Sequence, residues 1–249
     1  MDSPYPAIDA TGLIVAYKDK LVINEIDIRI DNGDKAIILG RSGCGKSTLL
    51  KSLIGLIPHS RGELRLLGRE VNNIDENNQH ELSLNVGVMF QFGALLNSLT
   101  IAENIALPLE MHTNLDNDII MDIVRTRLDS VSLLASYDNK PDQLSGGMRK
   151  RAALARAMVL EPEILLCDEP VAGLDPTTAA EIDELLLSIN EELSTTLVVV
   201  THDLMSIERI DGKLLMLDGG HVLFEGSREE ALQSKEPNVY SFFHPGHYE

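Results

Sequence analysis

Cations are scarce in this sequence. Lys and Arg together number 21 against 39 Asp and Glu, a formal net charge of −18. Sequence-independent nucleic-acid binding needs cations clustered along a face, so no nucleic-acid partner is expected. Any phosphate the chain holds must be gripped locally, and the acidity itself serves solubility. Cysteine is scarcer still. Cys44 and Cys167 both lie in apolar or glycine-rich motif stretches, which is no disulfide framework and points to a reducing cytosol. The opening "MDSPYPAIDA" lacks a basic region followed by an apolar one, so no signal peptide is expected. Apolar runs such as "TLVVVT" and "IILG" fall far below the roughly 20 residues of a membrane span, so any work at a membrane runs through a partner. Low-complexity segments and internal repeats are likewise missing.

What is present is ample apolar residue, 44% of 249, enough for a sizeable core in one large domain or a domain with a subdomain. Residues 12–30 alternate apolar and polar, as half-buried strands do, with a turn near "KDK". "DKAIILG", "VGVMFQ", "EILLCDEP" and "TTLVVVTHD" are short apolar runs that suit fully buried strands. "GELRLLGREV" reads as strands, and "GKLLMLDGGHVLFEGS" as a hairpin turning at "DGG". From about 92 to 160 the spacing becomes helical, with Ile119, Ile120, Ile123, Val124 and Leu128 at helix period. Buried strands alternating with helices predict an α/β core around a mostly parallel sheet, with this block set out as a subdomain.

The chemistry concentrates in a few stretches. "GRSGCGKS", Gly40, Arg41, Ser42, Gly43, Cys44, Gly45, Lys46 and Ser47, fits the phosphate-loop pattern between a buried strand and a helix. Its glycines let backbone N–H groups curl around a phosphate, Lys46 reaches the β- and γ-phosphates, and Ser47 offers a hydroxyl to Mg²⁺. "ILLCDEP" ends an apolar strand in two acids. Asp168 would sit near the metal, and Glu169 would polarise an attacking water; the bland alternative is a pair of solvated acids at a strand end. His202 ends "LVVVTH", where an imidazole can donate to a γ-phosphate oxygen or simply be structural. Gln91 ends "VGVMFQ", within reach of the metal shell or a water. Tyr17 is either a base-stacking ring or a half-buried strand tyrosine. Ser145, Gly146 and Gly147 open the basic, alanine-rich helix "LSGGMRKRAALARA". They are either an ordinary serine N-cap or an anion site. Because Lys46 and Ser47 already occupy the chain's own phosphates, the second option implies the nucleotide of a second subunit.

In their order and spacing, "GRSGCGKST" (through Thr48), Gln91, "LSGGM", "ILLCDEP", "GLDP" and His202 resemble the ATP-binding subunit of an ABC transporter over about 12–235. The resemblance implies a P-loop NTPase core with a mostly parallel sheet, an N-terminal antiparallel β subdomain and an inserted helical subdomain, all in a single domain. It implies a head-to-tail dimer of two copies sandwiching two Mg–ATP, each touching the phosphate loop of one subunit and the "LSGG" of the other. In that frame Tyr17 matches the adenine-stacking position, Asp175 the loop linking the two sites, and Glu169 the general base.

A narrower resemblance follows from 90–113, "FQFGALLNSLTIAENIALPLEMHT", and from Met148, where most such ATPases have glutamine. Both are similar to the ATPases of Mla/Mce-type lipid transporters. This implies a permease dimer, an Mce-domain lipid-binding protein and a place on the cytoplasmic face of an inner membrane; a small accessory protein is a further candidate partner. The alternatives are a transporter ATPase for another cargo, or a soluble ABC ATPase without a permease. Phe92, Leu95, Leu96 and Leu99 form either a groove for a permease helix or plain core. The tail 236–249 holds Tyr240, Phe242, Phe243 and Tyr248, a concentration that fits docking on a second subunit, on an accessory protein or on its own domain.

Overall fold

A computed structural model describes residues 4–17, 20–71, 81–82 and 84–245. Most of the expected "KDK" turn (Lys18 and Asp19) and Tyr248 lie outside these residues. Strands β1 (Ile8–Tyr17), β2 (Lys20–Ile30), β4 (Arg61–Leu66) and β5 (Arg69–Glu70) form an antiparallel sheet in the order β2-β1-β4-β5. The second sheet runs β10-β9-β3-β8-β7-β6. Its members are β3 (Lys35–Gly40), β6 (Val86–Met89), β7 (Ile164–Asp168), β8 (Thr196–Val200), β9 (Lys213–Asp218) and β10 (His221–Gly226). It is parallel except for the β9–β10 hairpin, which turns at Gly219 and Gly220.

The central strands are apolar throughout because both faces of the sheet are covered. Side chains alternate between two cores at the strand period of two. Ile38, Ile164, Leu166, Val198, Val200, Leu215 and Leu217 face the antiparallel sheet and helix α1 (Lys46–Leu53). Ile37, Leu39, Leu165, Cys167, Leu197, Val199, Leu214 and Met216 face helices α4 (Gly146–Ala157), α5 (Pro176–Leu193) and α6 (Leu204–Ile210).

A third core belongs to the helical block, built from α2 (Ile101–His112), α3 (Asn117–Ser130) and one side of α4. Helix α2 starts at Ile101 because Thr100 and Glu103 form a reciprocal capping box. Residues 92–99 are turns rather than helix. They are held by the buried Asn104, whose amide donates to Leu96 O while its Oδ1 accepts from Leu96 N–H at 2.7 Å. Helix α4 is shared between two cores. Ala152, Ala155 and Val159 just beyond its end pack in the helical block, while Ala153, Leu154 and Met158 pack against the sheet. Its alanines permit this close approach on both sides.

The chain closes with α7 (Arg228–Leu232) and α8 (Pro237–Phe243). Val239 is fully buried, and Phe242 and Phe243 pack against the sheet's core. The described part of the aromatic tail therefore docks on its own domain.

Candidate active site

Five parallel strands end along one edge of the sheet, and the candidate residues follow the C-terminal ends of four of them, β3, β6, β7 and β8. A cavity of about 940 Å³ lies there. Gly40, Arg41, Ser42, Gly43, Cys44, Gly45, Lys46, Ser47 and Thr48 line it together with Gln91, Glu169 and His202.

The loop 40–45 between β3 and α1 is possible only with glycine at its tightest points. Gly40 has φ 143°, and a Cβ there would lie 2.3 Å from the Leu217 carbonyl oxygen. Gly45 has φ 112°, and a Cβ there would lie 2.9 Å from Ile23 Cδ1. The loop turns the Lys46 ammonium back on itself, donating to Gly40 O at 2.7 Å and Arg41 O at 3.2 Å. Helix α1 begins at Lys46, so its unsatisfied N–H groups and positive dipole end open into the cavity. Burial pushes the Cys44 thiol pKa up, so this side chain packs rather than reacts.

Ser47 Oγ donates to Asp168 Oδ1 at 3.3 Å across the gap between α1 and the end of β7. Burial raises the Asp168 pKa, opposed by the Ser47 hydrogen bond and then by the charges of Lys51, Lys46 and Lys150. A carboxylate held this way gains from any added cation. Among the described residues no cluster of three or more His, Cys, Asp or Glu forms a metal cage. A hydroxyl and one carboxylate beside a phosphate loop is nevertheless the donor set that Mg²⁺ takes with substrate phosphates.

Glu169 follows β7 with φ 49°, a left-handed conformation costing a non-glycine residue about 1–2 kcal/mol. It is held there from both sides. Its N–H donates to Val200 O at 2.8 Å, and its carbonyl accepts from Lys150 Nζ at 2.8 Å. The side chain Oε1 lies 2.7 Å from His202 Nδ1. An ionised carboxylate is acceptor-only, so that nitrogen carries the proton. Gln91 and His202 sit two residues beyond the ends of β6 and β8, rather than ending them, because strand pairing stops at Met89 and Val200.

The remaining expected residues stand apart from this cavity. Ser145 and Gly146 are exposed at the start of α4, where Ser145 Oγ accepts from Met148 N–H at 3.3 Å as an N-cap. Gly147 is packed so closely that a Cβ would lie 2.5 Å from Thr178 Cγ2. Asp175 caps α5 in the same way and is exposed. The Thr178 hydroxyl, donating to its Oδ2 at 2.6 Å, holds its pKa below the usual carboxylate range. The chain neighbours of the two caps, Gly146 and Leu174, line a smaller cavity of about 340 Å³ together with Gln91, Lys150 and Gly173 among others. Tyr17 is half-exposed at the end of β1, outside the larger cavity, whose wall on that edge is Lys20, Leu21 and Val22.

Several lining residues were not anticipated from sequence. Gly219 and Gly220 come from the β9–β10 turn, and Phe242 comes from α8. The neighbouring Ser241 hydroxyl accepts from Arg41 at 3.4 Å, and Asn238 donates to Asp218 at 3.1 Å. Lys150 bears on Glu169 itself. Its one sequence signal is helix period: it precedes the core-facing Ala153 and Leu154 by three and four residues. Of the apolar set 92–99, Phe92 is 90% exposed and Leu96 exposed, while Leu95 packs in the helical core. A separate groove of about 450 Å³ between core and helical block is lined by Leu56, Leu66, Val86, Phe90, Pro108 and Leu160 among others.

Comparison with known proteins adds to this geometry. The family model described as ABC transporter matches residues 23–172. The chain is 39% identical over 236 residues to the probable ribonucleotide transport ATP-binding protein mkl of Mycobacterium leprae, covering 95% of this chain and 68% of that one. It is 33% identical over 235 residues to the intermembrane phospholipid transport system ATP-binding protein MlaF of Haemophilus influenzae, covering 94% and 89%. It is also 37% identical over 209 residues to the methionine import ATP-binding protein MetN of Clostridioides difficile, covering 84% and 65%. Among solved structures it resembles the dimeric post-hydrolysis state of the ATP-binding cassette MJ0796 bound to ADP and Pi. That match has a TM-score of 0.82 at 30% identity, covering 88% of this chain and 98% of the other.

Proposed function

This chain belongs to the ABC transporter family as an ATP-hydrolysing subunit, and from that premise we propose that it drives phospholipid transport between membranes through a permease dimer and an Mce-domain partner. The observation that carries the ATPase chemistry is the joining of Ser47 to Asp168 and of Glu169 to His202 around one phosphate loop. Water attacks the γ-phosphorus in line with the leaving β-phosphate oxygen. Glu169 takes the proton of that water, and His202 holds the carboxylate by its Nδ1–H. Lys46 and the N–H groups at the start of α1 neutralise the phosphates, so positioning and charge do most of the work. Ser47, Asp168 and Gln91 would hold Mg²⁺, which would supply charge neutralisation at the phosphates.

One chain leaves Ser145 and Asp175 outside this cavity. A second copy placed head to tail would bring its Ser145, Gly146 and Gly147 to the γ-phosphate and its Asp175 to the phosphate loop. Tyr17 would stack on the adenine. The lipid cargo is supported by the MlaF relative and by Met148 in "LSGGM". The MetN relatives favour one second reading, import of a small solute such as an amino acid. No described helix is long and apolar enough to cross a membrane. Attachment to the cytoplasmic face would run through the permease, with the apolar groove beside Phe90 and Pro108 receiving a permease segment.

Two measurements test this. Glu169→Gln should abolish turnover, a loss of about 10²-fold or more, while retaining ATP and trapping a closed dimer; robust turnover would remove Glu169 as the base. Affinity purification from native membranes should bring down a permease and an Mce-domain protein with bound phospholipid. A permease alone, transporting methionine, would shift the reading to the solute importer.

A further inference from the structure

Lys150 sits where the helical block meets the catalytic strand ends. It is 7% exposed, on the side of α4 that faces the sheet. Its Nζ donates to the Gln91 carbonyl at 2.5 Å and to the Glu169 carbonyl at 2.8 Å. Burial lowers its pKa, opposed by the nearby Cys167, Glu169 and Asp168. Burying an ammonium costs stability unless its hydrogen bonds are made, and a methionine of similar length would fill the same space without that cost. The amine therefore supplies something packing does not. It supplies two charge-assisted bonds, both to backbone carbonyls.

Those two carbonyls belong to residues of one ATP site. Glu169 keeps its left-handed backbone through the Val200 bond on one side and the Lys150 bond on the other. Gln91 begins the turns that lead from β6 into the helical block. The ammonium itself rides on α4, whose first residues follow the Ser145 cap. Helix α4 is gripped by two cores, so a push at its N-terminus displaces it as a rod rather than bending it. Any such displacement moves Nζ against both carbonyls at once.

We propose that Lys150 is a positioning residue that couples the two ATP sites of the dimer. It ties Glu169 and Gln91 of a chain's own site to the helix whose N-terminus closes the partner's site. The inference rests on the head-to-tail dimer proposed above. ATP seated against Ser145 of one chain shifts α4, and through Lys150 it resets the general base and Gln91 of that same chain. The coupling is reciprocal for binding: ATP in the chain's own site biases the position of α4.

The test compares the chain with its Lys150→Met and Lys150→Arg variants. Steady-state ATP hydrolysis is measured across ATP concentration, and ATP affinity separately by equilibrium titration. The parent should hydrolyse ATP cooperatively. Lys150→Met should lower kcat about tenfold, leave KM and ATP affinity within about twofold, and bring the Hill coefficient to about 1. Lys150→Arg, which keeps a cation and its donors, should restore kcat and cooperativity to within about threefold of the parent. A non-cooperative parent, or a Lys150→Met variant with parental kcat and Hill coefficient, overturns the proposal. So does a variant that loses kcat, ATP affinity and thermal stability together with no rescue by arginine, since that is a structural role only. The Glu169→Gln chain separates the two levels. If it fails to dimerise with ATP, the dimer reading falls and the coupling with it; if it dimerises while Lys150→Met is silent, the role of Lys150 alone falls.

Discussion

Two buried acids in this chain answer to burial in the same direction and serve different ends. Asp168 has Ser47 as partner and the charges of Lys51, Lys46 and Lys150 acting on it. Asp183, fully buried on α5, accepts from Ser206 Oγ at 2.7 Å and Arg209 at 3.0 Å on Oδ2, while its Oδ1 has no hydrogen-bond partner. Burial pushes its pKa up, opposed by Ser206 and Arg209. Between the unfolded value near pH 4 and its raised folded value, the folded chain holds a proton that the unfolded chain has released. Stability contributed at this position therefore falls as pH rises through that window. Asp183→Asn removes the titration. The unfolding free energy of the parent minus that of the variant should decline as pH climbs from about 4 and then level off. Urea denaturation across that range checks it, and a flat difference would assign Asp183 no titration there. Asp183 was not legible in the sequence, because an aspartate in "EIDELLL" reads as a solvated helix face until Arg209 of another helix covers it.

At the scale of elements, the loop and strand ends were legible because each motif carries its own context. A glycine loop between an apolar strand and a helix can hardly be anything else, and "ILLCDEP" and "LVVVTH" announce buried strands with polar ends. Lys150 was hidden for the opposite reason. A lysine between two arginines in "MRKRAALARA" reads as solvent-facing, and only the packing of α4 on two sides puts it inside. The tail was half legible. Its aromatic concentration signalled docking, but the choice of surface depends on where β9 and the phosphate loop lie in three dimensions. Helix α8 buries Val239, Phe242 and Phe243 and reaches Arg41 and Asp218 with Ser241 and Asn238. Ending the chain after Glu236 should cost roughly 3 kcal/mol of stability, measured by denaturant unfolding. It should also remove Phe242 from the wall of the cavity beside residues 40–48. An unchanged midpoint would mean that α8 adds nothing to the fold.

At the scale of the whole molecule, the charge of −18 acts on assembly. Two copies carry −18 and −18, together −36, before any nucleotide is added. Bringing them together is opposed by long-range repulsion that salt screens, with a Debye length falling from roughly 30 Å at 0.01 M to about 8 Å at 0.15 M. ATP-driven dimerisation of the Glu169→Gln chain should therefore tighten as salt rises across that range. Sedimentation at several salt concentrations measures this, and a dimer that weakens with salt would mean that local ion pairs at the interface outweigh the global field. One further consequence belongs to α4, the helix with a core on either side. A helix with one buried face can drift in sequence over most of its circumference, whereas here only a narrow exposed strip is free. Substitutions for Ala152, Ala153 or Ala155 by anything larger would collide with one core or the other. In a saturation mutagenesis map, α4 should stand out among the described helices as the least tolerant, its permitted alphabet set by the room between two cores.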